Sequence, residues 1–474
     1  MGKYGSLAKN SLFVFIGNIG SKMIGFLMLP FYTSWLSVEE YGTADMVTVY
    51  VSLLLPFVSY SLCSAIFALP VGREKKRQGE YFTIGLVFVL LSIFLFASVA
   101  MPLSKLGFLG SNVFSTYTLY ISILLLTSFV QTYIHQFCMA INKMAFFSFA
   151  GVVLAATTAI FGFLMIPNHG VEGFLKSQIL ANIVTIIFSF IVMRLHEYVV
   201  FGKLRFDLLK EMLKYSIPMI PNSLLWWVIA SFNRVTMEAY IGVYYLGLYA
   251  IASKLPSILT SLINPITNAW KLSVVQDYKK NDFSDYYSKV SQFLIMTVSM
   301  MVLLIGLLSE LIIIIVSDED FHQSWIYSPI LLISIIFVFL DQMDAPIFMA
   351  YRKTKYFLYS SIWGALSGVI LNYLLIPMIG IWGAVISMVG GHALMSLIQL
   401  KFSWKYAQIH SIITIFLFVI IVVICNSMLS ILQNYYISIG LTLFALSFYL
   451  FFNWKYIGIA YKTVVSRMFK NIKQ

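Results

Sequence analysis

Apolar residues run along this chain in long stretches, broken by short polar links, without the strict alternation of half-buried strands. The stretches fall near 10–33, 43–69, 82–103, 116–141, 146–166, 171–193, 215–238, 246–270, 289–315, 326–349, 357–376, 381–400, 411–432 and 436–453. A helix needs about 20 apolar residues to cross a bilayer core, so the pattern predicts an all-α integral membrane protein with about fourteen transmembrane helices. At that length the spans use roughly two thirds of the chain and leave no room for a separate soluble domain. Proline punctuates the pattern. Pro70, Pro102, Pro167 and Pro377 close spans, where a missing N–H does least harm. Pro56, Pro218, Pro221, Pro256, Pro265 and Pro346 lie within or near spans, where breaks mark bends that line a cavity.

The pattern also repeats. Residues 143–173 and 353–383 each carry a basic residue, aromatic residues, an apolar span and then Ile-Pro-x-x-Gly-x-x-Gly. Ile166, Pro167, Gly170 and Gly173 match Ile376, Pro377, Gly380 and Gly383, 210 positions on. A weaker echo joins Tyr41-Gly42 to Leu246-Gly247, 205 positions on. A period of six spans keeps both copies in one orientation. It predicts two six-helix lobes, 1–200 and 201–405, related by a pseudo-two-fold axis along the membrane normal. Two additional helices over 406–455 and a basic tail over 456–474 fall outside the repeat. Paired lobes around a central cavity can rock between inward-open and outward-open states, which points to transport.

Composition fits this picture: 60% of the 474 residues are hydrophobic and only 11% charged, against about 25% in a soluble domain. The net charge of +12 would suggest nucleic acid in a soluble protein. Here the basic residues concentrate in alternate links: Arg73 to Arg77, Lys143, Arg194 to Lys214, Lys271 to Lys289, Arg352 to Lys355, Lys401 and Lys405, and the tail. Lys105 is the exception on the other side. That bias predicts cytoplasmic N- and C-termini, and no nucleic-acid partner. The first apolar run is too long for a signal peptide, holds Lys22 near its middle and lacks a small-residue cleavage site, so it reads as a retained first helix. Cys63, Cys138 and Cys425 lie in apolar spans and make no metal or redox motif.

Ionisable groups inside spans are costly and usually face a cavity or a partner. Lys22 lies too deep to reach the interface easily. Arg234 and Lys254 sit at similar depth on consecutive spans and can form one cationic patch, with Lys176 at similar depth on another. Lys254, Lys176 and Asp45 can equally extend to the nearby interface. Arg234 and Glu238, spaced i and i+4, can form a plain pair. Asp341 and Asp344 share a helix face, and three readings stand side by side: a coupling proton or sodium ion, pairing with Lys22, or packing. Gln131 and His135 add polar groups one turn apart. Trp226, Trp227, Trp270 and Tyr249 offer faces for sugar stacking, although membrane aromatics more often pack or face lipid. A basic, polar cavity suits an anionic substrate.

The chain resembles the polysaccharide transporter family, the oligosaccharide-lipid flippases of the O-antigen and capsule type. Their superfamily also holds multidrug and toxin extruders and the peptidoglycan lipid flippase. The resemblance rests on four stretches: Lys9-Asn10-Ser11 and Gly17-Asn18 through Lys22 to Glu39-Glu40-Tyr41-Gly42; Tyr215-Ser216-Ile217-Pro218-x-x-Pro221 with Trp226 and Asn233-Arg234; Leu246 to Tyr249 with Lys254 and Trp270; and the paired Ile-Pro-x-x-Gly-x-x-Gly. It implies a two-lobed, fourteen-helix fold in a bacterial plasma membrane, moving an undecaprenyl-pyrophosphate-linked oligosaccharide from the inner to the outer leaflet. It implies contact with lipid-linked oligosaccharide, membrane lipids, a polysaccharide polymerase and a chain-length regulator. Lys22, Arg234 and Lys254 would engage the pyrophosphate and sugar. The family often has Asp-Arg where this chain has Asn233-Arg234, so the acidic role would pass to Glu238, one turn later. No cofactor is expected, beyond coupling to a sodium or proton gradient. The chain has no Gly-rich loop ending in Gly-Lys-Ser/Thr and no His-Glu-x-x-His pattern, which argues against an ATP-driven pump and for a non-enzyme. Two other functions compete: a cation-coupled multidrug exporter, which would want an acidic cavity, and a membrane polysaccharide polymerase, which would want a large outer loop.

Overall fold

The computed structural model describes residues 20–105, 112–200, 205–433, 436 and 439–454. The motif residues Lys9 to Asn18 and the basic tail lie outside the described residues. Every regular element among the described residues is helical. The first group is α1 (20–27), α2 (Leu29–Trp35), α3 (Val38–Val58), α4 (Leu62–Ala68), α5 (Lys75–Lys105), α6 (Asn112–Thr116), α7 (Thr118–Ala140) and α8 (Met144–Val192). Next come α9 (Phe206–Ser216), α10 (Ile220–Tyr240), α11 (Val243–Ala252), α12 (Lys254–Asp277), α13 (Phe283–Leu307) and α14 (Ser309–Val316). The series ends with α15 (Ser328–Ala350), α16 (Lys355–Ile379), α17 (Ile381–Ser403), α18 (Ile412–Leu432) and α19 (Ile439–Trp454). Among the described residues, 10 helical segments are long and apolar enough to cross a membrane, and α8 contains two of the expected spans. This is the all-α membrane architecture that the sequence predicts.

The repeated motif folds alike in both copies. Gly170 (φ +51°) and Gly380 (φ +61°) take left-handed backbone, open to glycine at little cost, and turn the chain back on itself. Three residues on, a Cβ at Gly173 would lie 2.3 Å from the Met165 carbonyl oxygen, and one at Gly383 2.5 Å from that of Leu375. Each hairpin therefore closes only because its second glycine has no side chain. The match extends to the start of each copy. Asn142 and Arg352, also 210 apart, are left-handed at φ +65° and +54°. Asn142 N–H donates to Met139 and Lys143 N–H to Cys138, as Arg352 and Lys353 donate to Met349 and Phe348. These are equivalent helix ends that satisfy the last carbonyls of α7 and α15.

Two compact units emerge. The first comprises residues up to Lys254 together with Ile314–Gln323 and Gly368–Ala384. Its core has one cluster around Phe82, Phe129, Tyr133 and Phe137, and another around Met46, Val47, Leu124 and Leu246. Within it α3 lies along α11 through a reciprocal glycine contact. A Cβ at Gly42 would sit 2.1 Å from the Val243 carbonyl oxygen, and one at Gly247 2.0 Å from that of Val38. The pairs Val38/Val243 and Gly42/Gly247 are both 205 apart, so the weaker echo in the sequence is a self-complementary helix crossing. Ser37 starts α3 with a capping box, accepting from Glu40 N–H while Glu40 accepts from Ser37 N–H.

The second unit holds Leu255–Ile313, Ser324–Ser367 and residues from Val385 on. Here α13 packs against α15 and α18. A Cβ at Gly306 would meet the Asn426 side chain at 2.3 Å, which fixes how closely α13 and α18 approach. Tyr449 of α19 hydrogen-bonds Thr297 of α13 at 2.9 Å.

Three elements depart from the sequence pattern. The apolar run 43–69 is α3 followed by a separate α4, because Tyr60 and Ser61 turn left-handed after Pro56. Residues 206–216, read as part of an inner link, form the amphipathic helix α9, burying Leu208, Leu209 and Met212; its short period was masked by Asp207, Lys210, Glu211 and Lys214. The expected span 246–270 is interrupted at Ser253, since Pro256 has no N–H with which to bond the Ala252 carbonyl. That break sets Lys254 at the head of α12.

Candidate functional site

The interruption before α12 and the glycine crossing of α3 and α11 together build a charged cluster in the first unit. Asp45 is nearly one turn past Gly42 on α3. There it accepts a hydrogen bond from Arg234 Nε of α10 at 2.9 Å, a pair 14% and 17% exposed. The guanidinium also donates to the Ala230 carbonyl at 3.2 Å and to Ser253 Oγ at 3.3 Å, and it lies 5.1 Å from the centre of the Tyr249 ring. Tyr249 is fully buried, and the Asn233 side-chain amide donates to its hydroxyl. Adjacent residues of α10 thus hold Tyr249 by two chemistries, Asn233 at its hydroxyl and Arg234 over its face. Lys254 places its ammonium 5.6 Å from the centre of the Tyr41 ring, which packs edge-on against Phe321. Asp45 also attracts Lys254, and Lys22 of α1, exposed, lies near enough for its charge to repel that of Lys254.

Arg234 and Lys254, from two helices, therefore share one carboxylate, and Lys22 of a third helix adds its charge beside Lys254. A site with that surplus suits an oxyanion, and arginine's planar fork suits phosphate in particular.

The other residues singled out in the sequence are placed elsewhere. Glu238 accepts from the Tyr50 hydroxyl and from Val113 N–H, while the ion-pair partner of Arg234 comes from α3; Asp45, and not Glu238, supplies the acidic neighbour to Arg234. Lys176 bonds Glu172 at 2.8 Å in an exposed pair one turn long. Gln131 and His135 are buried and bond each other at 2.9 Å. Trp227 donates to Ser52 at 3.0 Å. In the second unit, buried Trp270 donates to the Met343 carbonyl at 2.9 Å and stacks near Tyr286 and Tyr287, so it packs there. Asp341 and Asp344 are buried in that same unit, with the Tyr287 hydroxyl donating to Asp344 Oδ1. Sequence reasoning missed Tyr41 and Ser253 as partners of the cations. Tyr41 was visible beside the first glycine of the echo between Tyr41-Gly42 and Leu246-Gly247, and Ser253 only as the residue three before a proline.

A family model described as polysaccharide biosynthesis protein matches residues 7–270, more than half of the chain. The chain belongs to the polysaccharide biosynthesis protein family. A second model, MatE, matches residues 218–374 of this family member. No curated protein matches it. Among solved structures, lipid II flippase MurJ in an inward closed conformation is 14% identical, with 95% of this chain and 100% of that one covered and a TM-score of 0.69. An inward-facing multidrug resistance MATE family transporter of the MOP superfamily is 14% identical, with 83% and 94% covered and a TM-score of 0.60. A MATE transporter from Vibrio cholerae is 15% identical, with 85% and 97% covered and a TM-score of 0.58. The polysaccharide biosynthesis protein family member thus shares the fold of these membrane proteins.

Proposed function

We propose that the protein is a flippase that carries undecaprenyl-pyrophosphate-linked oligosaccharides from the cytoplasmic to the outer leaflet of a bacterial plasma membrane. The observation that carries this reading is the cationic surplus around a single acid: Arg234 and Lys254 share Asp45, and Lys22 lies close to Lys254. Moving two phosphates through hydrocarbon without counter-charge is prohibitive. A water-lined basic cleft removes that barrier, while the polyprenyl tail stays in lipid. Lys22, Arg234 and Lys254 would hold the pyrophosphate, and alternating access would deliver it. The clustering of basic residues in alternate links supports cytoplasmic termini. A polysaccharide polymerase and a chain-length regulator are the partners that such a flippase would feed.

Deleting the protein should make the lipid-linked repeat unit accumulate in the inner leaflet, measured by enzymatic accessibility of its sugar. Unchanged surface polysaccharide in the deletion strain would overturn the reading. The MatE match over residues 218–374 favours a second reading, a cation-coupled drug exporter. Sensitivity of the deletion strain to cationic drugs, with normal surface polysaccharide, would decide for it.

A further inference from the structure

Residues 317–323 link α14 to α15, and they fold with the first unit although the chain before and after them belongs to the second. Three contacts to three helices hold this link down. Phe321, 1% exposed, packs edge-on against Tyr41 of α3, with ring centres 5.8 Å apart. Asp318 N–H donates to Thr33 Oγ1 of α2 at 3.1 Å. The Gln323 side-chain amide donates to the Tyr244 hydroxyl of α11 at 3.0 Å. The link also braces itself, since Phe321 N–H donates to the Asp318 carbonyl at 3.0 Å and the His322 ring bonds the Ser317 carbonyl at 3.1 Å. A compact turn therefore spans the end of α2 and the starts of α3 and α11.

That turn closes over the cationic cluster. Tyr41 carries the Lys254 ammonium over its ring and takes Phe321 against the same ring, so plug and cation share one aromatic side chain. The hold is nevertheless light. Asp318, Glu319, Asp320 and Gln323 are exposed. A cavity of about 280 Å³, lined by Ser37, Val38, Glu39, Tyr244 and Asp320, leaves one side of the link unpacked. Glu39 and Asp320 both line it, and their like charges oppose closure. Few buried contacts and exposed hydrogen bonds are the marks of a segment that opens locally while the rest stays folded.

We propose that residues 317–323 are a lid over the cationic site, with Phe321 as its plug and Tyr41 as its seat, and that lifting this lid is a step of the transport cycle. The lid is tied at both ends, to α14 and to α15, so displacement of those helices pulls directly on it. Closed, it keeps water from Lys254 at the starts of α3 and α11; open, it exposes Tyr41 and Thr33 together. The lid itself stands on these contacts alone, and only its part in transport rests on the proposed function.

The lid is tested by thiol labelling of the purified full chain in detergent, with modification read at the chosen residue by peptide mass. Thr33→Cys, at a position 3% exposed beneath the lid, should react with a charged maleimide more slowly than the exposed Asp320→Cys, yet to completion. Adding Phe321→Ala should speed Thr33→Cys at least about tenfold and leave Asp320→Cys unchanged. Tyr244→Phe, which removes only the hydroxyl that Gln323 reaches, should speed it about threefold. A Thr33→Cys that reacts as fast as Asp320→Cys, never reacts, or ignores both loosening substitutions overturns the lid. Should Phe321→Ala fail to accumulate, Tyr244→Phe alone decides. The part in transport is tested by locking the lid. The Thr33 and Asp318 Cα atoms lie within about 7 Å by bond lengths alone, the limit of a disulfide's reach. Oxidised Thr33→Cys/Asp318→Cys should lose export of surface polysaccharide and regain it on reduction, while each single variant exports normally. Undiminished export by the crosslinked protein overturns the lid's role and leaves the flippase reading intact. Normal polysaccharide in the deletion strain overturns the flippase reading and leaves the labelling result standing.

Discussion

Arg234 is engaged on every side: by Asp45 across to α3, by Ser253 before α12, by the Ala230 carbonyl along its own helix and by the face of Tyr249. A lysine could make one of these contacts, not all of them, so Arg234→Lys should behave like Arg234→Ala. Both should reduce export of surface polysaccharide at least tenfold while membrane abundance stays near wild type, read by immunoblot. Asp45→Asn leaves a guanidinium without its acid and should cost about 3 kcal/mol of stability, seen as a lower Tm of the purified protein. Lys22, Arg234 and Lys254 stand out in the chain because charge is rare in apolar spans. The acid does not. Spacing along one helix offers Glu238 to Arg234, whereas Asp45 arrives from a different helix, at a distance that only packing determines.

At the scale of elements, three pairs of glycines set which helices can touch. A valine at Gly247 would collide with the Val38 carbonyl oxygen, so Gly247→Val should destabilise by about 1–3 kcal/mol or more and also separate Asp45 from Arg234. Gly368 of α16 meets nothing within 4 Å, so Gly368→Ala should leave Tm unchanged or raise it. Comparing the two by thermal unfolding separates close approach from helix propensity. The hairpins at Gly170 and Gly380 were readable in advance, since proline and glycine at fixed spacing dictate their own backbone. The split of α3 from α4 and the existence of α9 were not. An apolar run does not reveal where a chain turns inside the membrane, and a short helix rich in charge looks like a link.

For the molecule as a whole, hydropathy alone identified a many-helix membrane protein, because no other fold accepts so few charges. The repeat identified its internal symmetry at the level of motifs. The expected inward placement of basic links has a direct check. Reporter fusions at both termini should be active only for a cytoplasmic reporter, and periplasmic activity at either end would reverse the topology. The ion pair between Arg234 and Asp45 has a consequence for energetics. It trims three positive charges to a surplus of two, about the number that a pyrophosphate diester carries with opposite sign. A loaded carrier would then swing nearly neutral, indifferent to membrane voltage, whereas the empty one would feel about 2.3 kcal/mol per charge per 100 mV. Voltage dependence would reside in the return stroke, and turnover in vesicles should respond to an imposed potential most strongly when cargo is saturating.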